Sequence, residues 1–180
     1  MKSTEVYQQI KIVFASWCKA NEFKRTQGGM LGWYKPYGDR FVTFWFQCSQ
    51  DGWNEFAGSK FTVEFQVGSD PRPGTPAVVC QRLGFLLDPD QLESLKHVQN
   101  EVISKLKKPG SDYFMLQMEQ RVRDWYLSKF DLLPVAPLSK GDHWLRYHDP
   151  GDIQRWAAFV LSALPGVFKQ VAPDLVLVST

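Results

Sequence analysis

The 180-residue sequence has few cysteines, little net charge and no long apolar run. Cys18, Cys48 and Cys80 are odd in number and far apart, which excludes a disulfide framework and a CxxC metal site. Pro165 and Gly166 interrupt the most apolar stretch, so none approaches the roughly 20 residues that a membrane-spanning helix needs. The 21 Lys and Arg residues against 19 Asp and Glu residues leave a net charge of +2, which disfavours nucleic acid as a partner.

What the sequence does contain is typical of a folded chain. Aromatic residues make up 14% of it and hydrophobic residues 44%, whereas disordered chains are poor in both. The length predicts a single domain over residues 1–180. The N-terminus carries neither an apolar block nor a cleavage site, so we expect a cytoplasmic protein with reduced thiols. Of the three cysteines, Cys18 is expected nearest the surface, because Cys48 and Cys80 fall in predicted strands.

Hydrophobic periodicity divides the chain into three blocks. It predicts a helix over 1–22, antiparallel strands over 29–86 and helices over 88–171. Strands that are not separated by crossover helices indicate the α+β class. We therefore expect an antiparallel sheet of about four strands packed against the N-terminal and C-terminal helices, with Trp45 and Phe65 in one shared core. Within the last block, Trp125 is predicted to face inward from a third helix, and Pro165 to kink or end the final one.

The ionisable residues of 142–149 are the best candidates for chemistry. Asp142, His143, His148 and Asp149 are residue types that build metal sites and general bases, so a small metal-dependent hydrolase is one possible function. The five-residue spacing of the histidines fits neither a helix face nor a strand face, and Asp149 or Asp152 would alternatively cap the final helix. No cofactor motif is present, and we expect neither cofactor nor metal. Without a spaced catalytic motif, the pattern favours binding over catalysis and leaves enzymatic activity uncertain.

Aromatic residues outside the periodic stripes are candidates for a protein-binding surface. Trp53 lies in a turn-rich loop between two acidic residues, Trp33 flanks the first hairpin, and Trp144 lies in the 142–149 cluster. Protein interfaces place such anchors at their centre within a polar rim. The predicted partner-binding residues are Trp33, Asp51, Trp53, Glu55, His143 and Trp144. The alternative for Trp53 is that its ring folds back over the core.

Several short motifs carry a resemblance over residues 10–70. They are Phe-Lys-Arg at 23–25, Trp-Tyr-Lys at 33–35, Gln-Cys-Ser at 47–49 and Val-Gly at 67–68. In this region the sequence resembles small uncharacterised bacterial domain-of-unknown-function proteins that are similar to immunity or accessory proteins of toxin and defence loci. The resemblance implies an antidote that binds and occludes one cognate protein, such as a toxin. A net charge of +2 disfavours a nuclease target, because inhibitors that mimic nucleic acid are acidic. A subunit of a homo-oligomer is a further possibility.

Overall fold

The computed structural model describes residues 1–178 and has the α+β architecture that the sequence predicts. Its sheet is antiparallel, and helices begin and end the described chain. The helices are α1 (Ser3–Ala20), α2 (Leu83–Leu86), α3 (Pro89–Lys105), α4 (Gln120–Leu127) and α5 (Pro150–Val171). The strands are β1 (Lys24–Arg25), β2 (Leu31–Tyr37), β3 (Arg40–Cys48), β4 (Ser59–Gly68), β5 (Val79–Arg82) and β6 (Leu145–Tyr147). Over residues 1–178, no helix combines the length and apolar character needed to cross a membrane.

The sheet has more strands than the expected four. Strands β1 to β5 pair in chain order, and β6 returns from late in the sequence to pair with β4. β6 bonds to Ser59–Phe61 of β4, while β5 bonds to Glu64–Val67, so the two short strands share one edge. The two additional strands, β1 and β6, have only two and three residues. Segments this short show no measurable alternation, which is why periodicity predicts four strands.

One face of the sheet packs against α1 and α5 and forms the main core. Phe44 and Phe65 come from adjacent strands of this face and lie 6.1 Å apart between ring centroids. Trp17 of α1 stacks on Phe168 of α5 at 6.4 Å, so the two terminal helices also contact each other. Trp156 of α5 is fully buried in the same core. The dense aromatic packing is the main source of stability here, because burial of a large ring contributes about 1.5–3 kcal/mol.

The opposite face of the sheet is also covered, but by loops. Trp45 is buried on this face, where it pairs with Gly32 and Glu64, so the expectation that it shares a core with Phe65 is wrong. Gln66 lies on this face and is fully buried, and its side-chain amide donates to the carbonyl of Arg72 at 2.8 Å in the 69–78 loop. Buried polar side chains are stable only when bonded in this way. The alternation of apolar and polar residues along a strand identifies the two faces of the sheet, but it does not show what covers each face.

The segment between α3 and β6 is mostly irregular, which corrects the prediction of a long third helix. Only α4 and short 3-10 turns at Phe114–Leu116 and Ser128–Phe130 are helical. Trp125 is 50% exposed, so its predicted inward position is wrong. Tyr126 instead faces inward and joins Phe130 and Ala57 in a second small core. The apolar residues that give the near-helical spacing, Phe114, Met118 and Trp125, are all at least half exposed, so the spacing does not mark a buried face.

Helix α5 begins at a reciprocal cap and continues past its internal proline. Asp149 accepts from the backbone N–H of Asp152 at 3.0 Å, and Asp152 accepts from the backbone N–H of Asp149 at 3.3 Å. The prediction that these residues cap the final helix is therefore confirmed. Pro165 removes one helical hydrogen bond, yet α5 continues to Val171. The buried residues Val167 and Phe168, beyond the proline, pack into the core and hold the last turns in place.

The cysteines differ from the expected order of exposure. Cys18 is buried in the core, Cys48 is half-buried and Cys80 is exposed. Cys18 follows Trp17 on the inward side of α1, whereas Cys80 lies on β5 at the edge of the sheet. The expectation that Cys18 lies nearest the surface is wrong, because two helices rather than one cover this face.

Candidate protein-binding surface

The 49–59 loop between β3 and β4 is a closed turn with a fixed shape. Asn54 and Gly58 exchange backbone hydrogen bonds at 2.9 and 2.8 Å. The side-chain oxygen of Asn54 accepts from the backbone N–H groups of Phe56 and Ala57. Gly58 has a φ of +63°, and a Cβ at this position would lie 2.1 Å from the carbonyl oxygen of Tyr147. Only glycine allows the loop to approach β6 this closely.

The two aromatic residues of this loop have different surroundings. Phe56 packs against Tyr113 at 4.9 Å between centroids and belongs to the second core. Trp53 is 37% exposed, and its indole N–H donates to the carbonyl of His148 at 3.2 Å. Its ring also lies 5.8 Å from the His148 ring. The Trp53 ring is thus anchored along one edge while part of it remains at the surface.

Trp144 lies between two cations on the loop-covered side of the sheet. The ammonium of Lys60 and the guanidinium of Arg82 lie 5.3 and 5.4 Å from the centre of its half-buried ring. Lys60 also pairs with Asp51 at 3.4 Å, and Asp51 lies two residues before Trp53 in the same loop. Trp53 itself lies beside Met1, Glu5 and Pro150 at the N-terminal ends of α1 and α5, so Asp51 and its loop connect it to Trp144. We call the set Asp51, Trp53, Lys60, Arg82 and Trp144 the Trp53–Trp144 surface.

Arg82 connects this surface to two carboxylates. It pairs with Glu64 at 3.1 Å across the β4–β5 ladder, and with Asp142 in the loop before β6. These hydrogen bonds and carboxylate charges act against the cost of partial burial and raise the pKa of Arg82 overall. The guanidinium therefore stays charged and holds the Asp142 loop against the sheet. The pairing of Glu64 with Arg82 depends on strand register, which cannot be inferred from alternation alone.

The other predicted site residues lie in different surroundings. Trp33 is 4% exposed and stacks between Phe14 and Phe44 at 5.5 and 5.4 Å, so a role as a surface anchor is wrong. His143 is half-buried against Gly84 at the start of α2, where an added Cβ would lie 2.7 Å from its ring. Glu55 is exposed on the 49–59 loop close to Trp53. Trp33 was misassigned because the first strand of a hairpin gives no sign of which face is buried.

The histidines of the 142–149 cluster bond to separate backbone carbonyls. The Nε2 atom of His143 lies 2.8 Å from the carbonyl oxygen of Ser139, and that of His148 lies 2.8 Å from the carbonyl oxygen of Glu55. Within residues 1–178, no three His, Cys, Asp or Glu side chains are arranged to hold a metal ion. His148 therefore joins the end of β6 to the 49–59 loop, whereas His143 bonds within its own loop. The cations beside Trp144, Lys60 and Arg82, are not predicted from the sequence.

Comparison with known proteins gives no significant match: no family model and no curated protein is similar to the sequence, and no solved structure is similar to the fold. The fold and the surface define an α+β protein that presents two anchored tryptophans among paired charges. The immunity-protein resemblance of residues 10–70 stays a prediction.

Proposed function

We propose that the chain is a protein-binding module that occludes one cognate protein, in the manner of an immunity-type antidote. The observation that carries this proposal is the anchoring of Trp53 and Trp144 at the surface, one by a hydrogen bond and the other between two cations. Tryptophan and arginine are the residues most enriched among interface hot spots. A surface with both, held in fixed positions, is suited to binding a complementary protein face.

Preorganisation supports this proposal on energetic grounds. Binding normally costs about 0.5–1.5 kcal/mol for each flexible side chain that becomes ordered. Trp53 is fixed by its bond to His148, and the loop that carries it is closed by the Asn54–Gly58 bonds. Much of the ordering cost has thus been met during folding. A central tryptophan anchor then contributes about 2–4 kcal/mol to binding, as measured by truncation to alanine.

The charges of the Trp53–Trp144 surface indicate the kind of face that it would cover. Asp51 and Asp142 alternate with Lys60 and Arg82, and every one of these four groups has an opposite charge beside it. A surface of balanced charge selects partners by the detailed position of complementary groups rather than by long-range attraction. This favours one cognate protein over a general polyanion. No observation favours the alternative hydrolase, since both histidine rings bond to backbone carbonyls.

The test is capture of a partner from native cell lysate by the tagged chain, with two tryptophan variants. Trp53→Ala should weaken the captured complex by about 2 kcal/mol or more, which is about 30-fold in the dissociation constant. Trp125→Ala is the matched control, because it removes a tryptophan that is at least as exposed, 50% against 37%, and that is not one of the five residues of the surface. The partner should be stoichiometric, survive moderate salt and lose its own activity when bound.

Three results would contradict the proposal. One is an unchanged dissociation constant for Trp53→Ala in a folded protein. Another is equal loss of binding in Trp125→Ala, which would indicate nonspecific adhesion to exposed rings. The third is recovery of the chain alone with a mass that rises with concentration and falls in Trp53→Ala, since the surface would then join copies of this chain.

A further inference from the structure

A small pocket, with about 40 Å³ open to the centre of a water molecule, lies beside the 49–59 loop, and three cationic side chains line it. Lys60 comes from β4, Lys129 from the 3-10 turn after α4, and Arg146 from β6. The remaining lining is largely small and polar, with Asp51 as its one carboxylate and with Gly52 and Gly58 among the backbone positions. Three segments distant in sequence thus bring positive charge to one concave place.

Two of these cations have no carboxylate partner. Arg146 donates from Nη1 to the carbonyl oxygen of Lys129 at 2.6 Å, and the Lys129 ammonium lies 3.9 Å from the centre of the Trp125 ring. Asp51 pairs with Lys60 at 3.4 Å. Across residues 1–178, neither Lys129 nor Arg146 lies within 4.0 Å of a carboxylate oxygen. Unpaired positive charge in a partly buried place is costly, so an anion bound there would be stabilised.

The titration behaviour of the two groups agrees with this geometry. Burial lowers the pKa of Arg146, and burial is also the largest cause of the lowered pKa of Lys129. For Lys129, Asp51 acts in the opposite direction, while Arg146 and Lys60 lower the pKa further by like-charge repulsion. An anion placed among these groups would relieve both the desolvation and the repulsion.

We propose that this pocket is an oxyanion site that binds a phosphate monoester. Three cations and one carboxylate give the lining a formal charge of +2. A phosphate monoester carries about −1.5 to −2 at neutral pH and balances that charge, whereas a carboxylate leaves a net positive charge. The planar guanidinium of Arg146 suits paired hydrogen bonds to phosphate oxygens. This site does not rest on the protein-binding function, although it shares Asp51 and Lys60 with the Trp53–Trp144 surface.

Calorimetric titration tests the proposal with inorganic phosphate, O-phosphoserine and AMP, each against acetate and chloride at matched ionic strength. We expect saturable binding of the phosphates, with acetate weaker by about tenfold or more. Arg146→Gln should reduce phosphate affinity by about tenfold or more, because a charge-assisted hydrogen bond is lost. Arg40→Gln, which removes the same charge at the β2–β3 turn, should bind like the unchanged protein. Tighter binding of O-phosphoserine or of AMP would assign the phosphate to a phosphorylated side chain or to a nucleotide.

Lys129→Gln provides a second variant in case Arg146→Gln does not fold. The Lys129 backbone carbonyl still accepts from Arg146 in this variant, so the framework stays intact while one cation is removed. It too should lower phosphate affinity by about tenfold. Equal heats from phosphate and chloride, or full phosphate affinity in folded Lys129→Gln, would overturn the proposal. Failure to capture a protein partner has no bearing on these titrations, so the two proposals can fail separately.

Discussion

Asp152 makes the connection between α5 and the loops of the candidate surface, and its removal gives the sharpest prediction about stability. The side chain is 1% exposed. One carboxylate oxygen accepts from the backbone N–H groups of His148 and Asp149 at 3.0 and 3.3 Å, and the other pairs with Lys105 of α3 at 3.1 Å. The carbonyl of His148 in turn holds Trp53. Asp152→Ala therefore removes three contacts in a buried place.

The size of the effect follows from the groups left behind. Two backbone N–H groups lose their acceptor, and each unpaired buried donor costs about 1–3 kcal/mol. Water can reach part of this site, since Asp149 is exposed, so we take the lower half of each range. The free energy of unfolding should fall by about 2–4 kcal/mol. Lys105→Gln should cost only about 1 kcal/mol, because the ammonium is half-exposed and the carboxylate keeps its two backbone donors.

Urea unfolding followed by tryptophan fluorescence measures both variants, since the chain has seven tryptophans. In thermal unfolding, Asp152→Ala should lower Tm by about 6–12 °C for a chain of this size. Asp152→Asn keeps one acceptor oxygen and should fall between the other two. Equal losses of unfolding free energy in Lys105→Gln and Asp152→Ala would contradict this prediction. The ion pair with Lys105, and not the bonds to the two backbone N–H groups, would then be the main contribution of Asp152 to stability.

Four further predictions concern individual side chains. Gly58→Ala should destabilise the protein by about 3 kcal/mol or more in urea unfolding, because the added Cβ would lie 2.1 Å from the Tyr147 carbonyl oxygen. Gly38→Ala, at a similar φ of +61° but in open space, should cost only about 1 kcal/mol. Similar losses in the two variants would contradict the steric argument. Ellman's reagent should label Cys80 before Cys18 and Cys48 in the native protein, because Cys80 is the exposed one of the three thiols, while burial raises the pKa of Cys18 to about 12 and that of Cys48 to about 11. The pKa values of Cys18 and Cys48 in the folded protein exceed the ordinary 9.0, so the unfolded chain loses these thiol protons at a lower pH than the folded protein does. The stability that the two buried thiols contribute is therefore fully present below pH 9 and is lost as pH rises towards 11–12. Cys18→Ala should make this decline in the free energy of unfolding smaller. Thr26→Val should raise the free energy of unfolding by about 1 kcal/mol, because the Thr26 hydroxyl is buried and has no hydrogen-bond partner within residues 1–178. A lower free energy of unfolding in this variant would show that the hydroxyl is hydrogen-bonded.

The helices and strands with strong hydrophobic periodicity can be predicted from the sequence alone. Helix α1, strand β4 and helix α5 were predicted from apolar residues that recur at the period of their secondary structure. The α+β class follows from their order, because adjacent strands without crossover helices form antiparallel pairs. The cap of α5 was also readable, since Asp149 and Asp152 precede an apolar stripe with the spacing of a capping box.

Which face of the sheet each residue occupies, and which distant segments come into contact, depend on the folding of the whole chain. Trp33 and Trp45 lie on adjacent strands, yet one is in the helix-covered core and the other is on the loop-covered face. The partners of Trp144, Lys60 and Arg82, come from separate strands, and the cationic pocket joins Lys60 to Lys129 and Arg146. Periodicity reports contacts within one element, whereas these sites depend on strand register and loop packing, which arise only when the whole chain is folded.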